Sequence, residues 1–469
     1  MEKQLIFSMS DKYEQYMFDE SRMTGTGESI SFPESEAEAL SVLSFVKRSG
    51  AAITIQGGKT GVAGGAVPEG GHVMNMSHMC HILEFKRCDN TTALLRVEPG
   101  INLLELKREI AGLSGREKLF WPPEPTVSTA TVGGIAATGA RGICAYLYGD
   151  SRRYIEAVRL ITADGVIKNI TRCEQPELLD SLIGSEGIAG VFTEVTLRLI
   201  REPDAQWGIC FFFDAENDLC SFVEAMQANK SNFICGSAAV AAVEYIDEPT
   251  LKLIDSHKGM MNRLKELPDI PENCIGTVYV ELHGAEDDIE QLAEKLLELS
   301  AECGCDEEQT WAVSGEPGIQ KLREFRYAAS EIVNTCIDEA KRDAPDIVKL
   351  TTDMSFPGER FSQILTRYKA DAQRFGLTCC VYGHAGENLL YANLLPTDHQ
   401  GYLDGLKLIR EWAVHSIKCG GKTVREYGIG KLNKKVLHGL LPADKVDECK
   451  RLSTMMDPER IWNRGNIFD

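Results

Sequence analysis

The sequence predicts a mixed α+β protein of more than one domain. Three observations lead there. A chain of 469 residues exceeds what one ordinary hydrophobic core organises. Short β-rich runs alternate with amphipathic helical runs rather than repeating one pattern. Three glycine-dense stretches, at 55–71, 121–142 and 184–194, all fall before residue 203, each beside a strand-like run.

The elements follow in order. Residues 35–50 read as a helix: Ser35 and Glu38 form a capping box, Ala39, Val42, Leu43 and Val46 make the apolar stripe, and Gly50 stops it. Residues 51–56 read as a strand that ends where the first glycine stretch begins. A second strand follows at 92–100 and a second helix over 101–113. Residues 154–170 hold two β-rich runs around Asp164-Gly165, a hairpin signal. Residues 190–200 alternate polar and apolar as a half-buried strand does. Beyond Pro203 the glycine-rich character fades. A helix is expected over 288–303, a strand–turn–strand over 379–396 with its turn at Gly386–Asn388, and a helix over 402–418. Asp457 and Pro458 are expected to start a last helix.

Composition limits the function. Hydrophobic residues make up 43% and charged residues 26%, values of a globular protein in water. A formal charge of −20 with no basic stripe argues against nucleic acid or an anionic membrane as partner. Fifteen cysteines include no C-x-x-C, so local spacing encodes neither a zinc knuckle nor an iron–sulfur cluster. With no signal-like segment and no long apolar run, the expectation is a reduced, cytoplasmic protein without a membrane span.

The first glycine stretch, IQGGKTGVAGGAVPEGG, has seven glycines in seventeen positions. Glycine there permits positive φ and leaves amides uncovered, which suits close approach to phosphate. It is not a P-loop: Ile53 stands where the first glycine belongs, and Gly64, Gly65 and Pro68 prevent the helix that should follow. The Rossmann spacing is absent too. The three clusters together suggest an extended diphosphate ligand cradled by loops rather than by one helix.

In order and content these motifs resemble the flavoproteins of the vanillyl-alcohol oxidase and p-cresol methylhydroxylase type, in particular the glycolate oxidase flavin-subunit and FAD-dependent D-lactate dehydrogenase branch. The resemblance runs from DESRMTGTGESISFPES to DPERIWNRGNIF. It implies a two-subdomain FAD-binding domain over 1–203, an α+β substrate (cap) domain with an antiparallel sheet over 204–415, and a C-terminal segment, 416–469, that returns to the FAD domain. QGGKTGVAGGA is similar to the family's R-G-G-G-T-G-x-x-G-G-A, which assigns Gln56, Gly57, Gly58, Lys59, Thr60, Gly61 and Gly64 to the FAD phosphates. PPEPTVSTATVGGIAATGARG resembles P-P-D-P…T-x-G-G-x-x-A-T-x-A-G-G. By that match Pro122, Thr131, Val132, Gly133, Gly134 and Thr138 line the cofactor, with Tyr148 and Gly149 following. GSEGIAGVFTE resembles G-S-E-G-T-L-G-I-V-T-E and sets Gly187, Ile188 and Val191 against the flavin or adenine end. Asn463 matches the family's isoalloxazine-side asparagine.

On the substrate side the chain departs from the pattern. The family's G-H-x-G-D-G-N-x-H reads GHAGENLLY, keeping His384 but putting Tyr391 at the second histidine. Its G-E-H-G-I-G reads REYGIG, keeping Glu426 but putting Tyr427 at the histidine that serves as base. A divalent metal would therefore have only His384 and Glu426, short of the three protein ligands of a catalytic zinc. Arg326 resembles the arginine that pairs with a substrate carboxylate, a task its fork of donors suits.

Three readings stand open at this point. The first is an FAD-dependent dehydrogenase of a small 2-hydroxy acid, with His384 or an ionised Tyr427 taking the hydroxyl proton. The second is a flavoenzyme for a phenol, alcohol or polyol, reflecting Tyr391 and Tyr427. The third is a flavin electron-transfer subunit or inactive paralogue. All need an external electron acceptor: an iron–sulfur subunit, an electron-transferring flavoprotein, a quinone or oxygen. A homo-oligomer is compatible with each.

Overall fold

The computed structural model describes residues 4–260, 265 and 269–469. The chain divides into two compact units. The first comprises residues 1–142, 149–202 and 426–469; the second comprises 143–148 and 203–425. The boundaries expected at 203/204 and 415/416 thus fall at 202/203 and 425/426, and a six-residue piece, 143–148, lies with the second unit.

Two sheets build the first unit. One has four strands in the order Ile6–Ser8, Ser29–Ser31, His72–Asn75, Ile53–Gln56. The last two pairings are parallel, so strand Ile53–Gln56 forms an edge. The other is a six-stranded antiparallel sheet centred on Val191–Arg201, which pairs with Thr92–Val97 on one side and Ile155–Ile161 on the other. The hairpin expected at Asp164-Gly165 forms, joining Ile155–Ile161 to Ile167–Thr171, with Gly165 at φ +82°.

Helix Glu36–Ser49 forms as its caps dictate. The Ser35 hydroxyl accepts from the Glu38 amide at 3.3 Å, and Gly50 closes the helix in the left-handed region. Its stripe of Ala39, Val42, Leu43 and Val46 packs with Ile53, Met74, Ile161, Val191, Ile461 and Trp462 into one core. The C-terminal tail is therefore part of that core. Ile53 N–H donates to the Ile461 carbonyl at 2.7 Å, and Asn463 N–H to the Ile53 carbonyl at 2.8 Å, so the tail covers the exposed edge of Ile53–Gln56. Trp462→Ala would cost about 3–5 kcal/mol by the usual measure for a buried aromatic.

The helix expected from Asp457 does not form. Helix Ala443–Met456 ends there instead. The Asp457 carboxylate accepts from the amides of Ile461 and Trp462 at 2.9 and 2.8 Å, holding a turn. Arg460 and Asn463, at φ +55° and +42°, complete the reversal that a helix would forbid.

The second unit is built on an eight-stranded antiparallel sheet. Its order is Trp311–Ser314, Ala205–Phe213, Gly276–Gly284, Ala238–Asp247, Thr378–His384, Leu389–Leu395, Leu350–Thr351, with Ile234–Cys235 beside Ala238–Asp247. The central strands are apolar along both faces, so helices must cover them. The longest cover is helix Gly315–Ala340, whose buried side includes Ile319, Leu322, Phe325, Ala329 and Ile332. Two arginines, Arg323 and Arg326, lie on the same buried side, one turn apart. Charged groups there need partners, and the sheet supplies them.

Candidate functional sites in the two units

The glycine loop leaves the edge strand at Gln56. The Gln56 side-chain amide donates to the carbonyls of Tyr16 and Ala66 at 2.8 and 2.7 Å, tying the base of the loop. Glycine at 57 and 58 is set by close approach: an added Cβ would lie 2.1 Å from Thr131 Oγ1 and 2.3 Å from the Thr129 carbonyl oxygen, respectively. Gly61 faces open space, with nothing within 4 Å of an added Cβ. Lys59 stands at φ +56°, where the family pattern has glycine. Its ammonium is turned to the Gln15 carbonyl and over the Tyr16 ring, 4.6 Å from the centroid.

Among the described residues, none accepts from the N–H groups of Gly58, Lys59, Thr60 or Gly61. All four residues are partly buried. Consecutive idle donors of this kind form a concavity suited to an anion. The residues present therefore fit the diphosphate of FAD.

The second glycine cluster does different work. It is not a loop throughout: Val132–Thr138 is a short helix capped by Thr131, whose hydroxyl accepts from Gly134 N–H at 3.3 Å. The amides of Val132 and Gly133 donate to the carbonyls of Ile101 and Pro99, and the Thr138 hydroxyl donates to the Gly134 carbonyl at 2.9 Å. Pro122, Thr131 and Val132 are buried. This segment forms the wall against which Gly57 and Gly58 pack.

In the third cluster, Gly187 has φ +74°, and an added Cβ would meet Asn463 Nδ2 at 2.4 Å. Ile188 and Val191 are buried. Asn463 is a clamp: its Oδ1 accepts from Ile55 N–H and its Nδ2 donates to the Glu186 carbonyl, both at 2.7 Å. Gly149, at φ +83°, returns the chain to the first unit.

The candidates of the substrate side are divided between the units. Glu426 and Tyr427 belong to the first unit, where Glu426 pairs with Arg141 at 2.5 Å. His384, Arg326 and Tyr391 belong to the second and converge there. Glu244 directly faces His384 across neighbouring strands. One Glu244 oxygen, Oε1, bonds His384 Nδ1, and the other, Oε2, accepts from Arg326 Nε at 2.6 Å. Burial alone would raise this carboxyl, but the charges of His384 and Arg326 hold it below the usual carboxylate range. Arg326 is only 4% exposed. Among the described residues, no acceptor reaches its Nη1. Its guanidinium lies 5.1 Å from the Tyr382 ring centroid, and Tyr391 sets its ring edgewise to those of Tyr382 and His384.

A parallel set occupies the neighbouring strand. Glu281 accepts from Arg323 Nε at 3.0 Å, from His283 Nε2 at 2.7 Å and from the Tyr279 hydroxyl at 2.6 Å. His283 Nδ1 in turn meets the Tyr148 hydroxyl at 2.7 Å. Tyr148, matched to the cofactor by sequence, is thus anchored in the second unit. Sequence reasoning missed Glu244, Glu281, His283 and Arg323. The available signal was a carboxylate inside each of two apolar strand runs, AAVAAVEYID and GTVYVELHG, which burial would forbid without a cationic partner.

His384 and Glu426 each have a protein partner, in Glu244 and Arg141 respectively. Among the described residues, the groups of three with ligand spacing are Cys144–Glu281–His283 and Glu359–His415–Cys419, neither of which contains them.

Idle amides on a glycine loop, braced by the chain's own C-terminus, define a class: proteins that hold a dinucleotide on loops rather than on a Rossmann helix. Comparison with known proteins narrows it. Residues 28–171 match the FAD binding domain, and residues 218–467 match the C-terminal domain of FAD linked oxidases. The chain belongs to the FAD-linked oxidases, and FAD is its cofactor. It is 24% identical over 446 residues to the glycolate oxidase subunit GlcD of Bacillus subtilis, covering 93% of this chain and 88% of that protein. It is 27% identical to the mitochondrial D-lactate dehydrogenase [cytochrome] of Arabidopsis thaliana, covering 94% and 73%. With the D-2-hydroxyglutarate dehydrogenase of Stutzerimonas stutzeri it shares 22%, covering 94% and 90%. Its fold is that of an alkyldihydroxyacetonephosphate synthase structure, at a TM-score of 0.70 and 16% identity over 98% of this chain and 82% of that one. No helix among the described residues is long and apolar enough to cross a membrane.

Proposed function

We propose that this FAD-dependent oxidoreductase dehydrogenates a small 2-hydroxy acid. The observation that carries the reading is Arg326: a buried guanidinium with one nitrogen on Glu244 and another, Nη1, without an acceptor. An idle buried donor on a cation costs about 1–3 kcal/mol, which a substrate carboxylate would relieve. Beside it, on the same glutamate, sits an imidazole. The relatives' names, which specify glycolate, D-lactate and D-2-hydroxyglutarate, support the same substrate class.

In this reading Arg326 holds the carboxylate. His384 takes the hydroxyl proton as the O–H bond breaks. Bound FAD would supply hydride-accepting chemistry, by which the carbinol becomes a 2-oxo acid. Tyr391 and Tyr382 line the acid-binding side with aromatic surface. Electrons then leave to an external acceptor, a protein or a quinone. A reducing compartment such as the cytoplasm suits a chain in which none of the fifteen cysteines forms a disulfide.

The aromatic lining favours one second reading, a phenolic substrate held as phenolate against Arg326 and Tyr382. Anaerobic mixing separates the two. Bleaching of the flavin by 2-hydroxy acids supports the first, and bleaching by phenols alone supports the second. If only a reduced partner protein bleaches it, the chain is an electron-transfer subunit.

A further inference from the structure

Helix Gly315–Ala340 lays two guanidiniums, one turn apart, on carboxylates of two adjacent strands, and each carboxylate also holds a histidine. The two sets differ in which ring nitrogen meets the carboxylate. In the Arg323–Glu281–His283 set, Nε2 faces the carboxylate and Nδ1 meets the Tyr148 hydroxyl, so both ring nitrogens serve the protein. In the Arg326–Glu244–His384 set, the carboxylate engages Nδ1.

We propose that Glu244 is the positioning residue of the acid-oxidising site, its two oxygens fixing the proton acceptor and the carboxylate binder at once. The inference rests on the function proposed above. A carboxylate accepts only, so the Nδ1 that bonds it carries a proton in either charge state, and once the ring is neutral the lone pair of His384 lies on Nε2. That tautomer is the one in which Nε2 can take a hydroxyl proton. The other oxygen accepts from Arg326 Nε, which fixes the plane of the guanidinium and with it the direction of Nη1. Strand register enforces the arrangement, because Glu244 and His384 are directly opposite one another. Glu244 itself is 1% exposed and so reaches substrate only through these two neighbours.

The test uses the FAD-loaded full chain. The ring-nitrogen spectrum of ¹⁵N-histidine-labelled protein, with His384 assigned through His384→Gln, reads the tautomer directly. We expect Nδ1–H in the wild type and a shift toward Nε2–H in Glu244→Gln, whose amide oxygen can accept from Arg326 while its NH2 donates to Nδ1. A wild-type His384 protonated on Nε2 alone would overturn the proposal without recourse to any variant. In rapid mixing with a 2-hydroxy acid, Glu244→Gln should slow flavin reduction about 10²–10⁴-fold, the range seen when the carboxylate behind a catalytic imidazole is lost, with FAD content unchanged. Adding His384→Gln to that variant should cost less than about threefold more, as expected of residues acting as a unit. Glu244→Asp, which keeps the charge but withdraws it by one methylene, should fall between. Wild-type reduction rates in either folded variant would sink the idea. Failure of every hydroxy acid to bleach wild-type flavin would instead defeat the function proposed above, and the tautomer would still report on what Glu244 does.

Discussion

Glu186 accepts hydrogen bonds from Ile429 and Gly430, its carboxylate oxygens lying 2.6 Å from each backbone nitrogen. The glutamate sits buried in the third glycine cluster at φ +55° and spans more than two hundred residues of chain to reach them. Burial raises its carboxyl above the usual range, although both amides oppose the shift. Glu186→Ala leaves two buried donors orphaned and should destabilise the first unit by about 2–5 kcal/mol. Differential scanning of the protein with and without added FAD would check it. An unchanged Tm would show that the clamp is idle.

The loop at Gly57–Gly61 should tolerate loss of charge but not gain of volume. Lys59→Gly removes an ammonium that points to Gln15 and relaxes a left-handed residue, so FAD affinity should stay within about threefold. Gly57→Ala drives a methyl onto Thr131 Oγ1 and should weaken FAD binding more than tenfold, an order-of-magnitude expectation for a displaced backbone. Flavin fluorescence titration of the apoprotein distinguishes them. Equal losses in both variants would mean that the lysine charge, not the backbone, grips the phosphates.

Arg326→Lys keeps the charge but loses the fork. Lysine cannot serve Glu244 and a substrate carboxylate in one plane, so KM for the hydroxy acid should rise about 10–100-fold, the price of one charge-assisted contact. FAD content should not change. Steady-state kinetics with an artificial acceptor suffices.

His72 gives a pH signature. It is buried between Ser29 and Ser31, each hydroxyl 2.8 Å from a ring nitrogen, and burial pushes its pKa down from 6.5 to about 4. Between those values the unfolded chain binds the extra proton, so stability rises with pH there. It is fully present above about 6.5 and lost as pH falls toward 4, by roughly 3 kcal/mol for a shift of this size. Denaturant midpoints at pH 7.5 and 4.5 should differ by less in His72→Gln than in the wild type. The same pH dependence in both would assign it elsewhere.

Local rules made much of the fold legible. Ser35 with Glu38 and Gly50 delimited a helix within one residue at each end, and Asp164-Gly165 marked a hairpin, because each signal is contained within its own few residues. Asp457-Pro458 misled for the same reason: the carboxylate that resembles a helix cap reaches forward to Ile461 and Trp462, which only the tail's docking against Ile53 makes available. The helix at Val132–Thr138 was hidden by its glycines, which suit close packing on Pro99 rather than helix propensity. The Glu244 and Glu281 sets were illegible for another reason. Each joins residues separated by dozens of positions, and no periodicity records which arginine meets which strand.

The placement of Ile461–Asn463 on the edge of Ile53–Gln56 has a consequence for biosynthesis. A nascent polypeptide emerges amino end first, yet the first unit lacks part of its interior until Ile461–Asn463 leave the ribosome. Meanwhile the stretch from Pro203 to Arg425 can mature without waiting. Premature termination anywhere after it would therefore yield a sound second half attached to an unfinished, adhesive first half, a product suited to quality-control proteolysis rather than to partial activity.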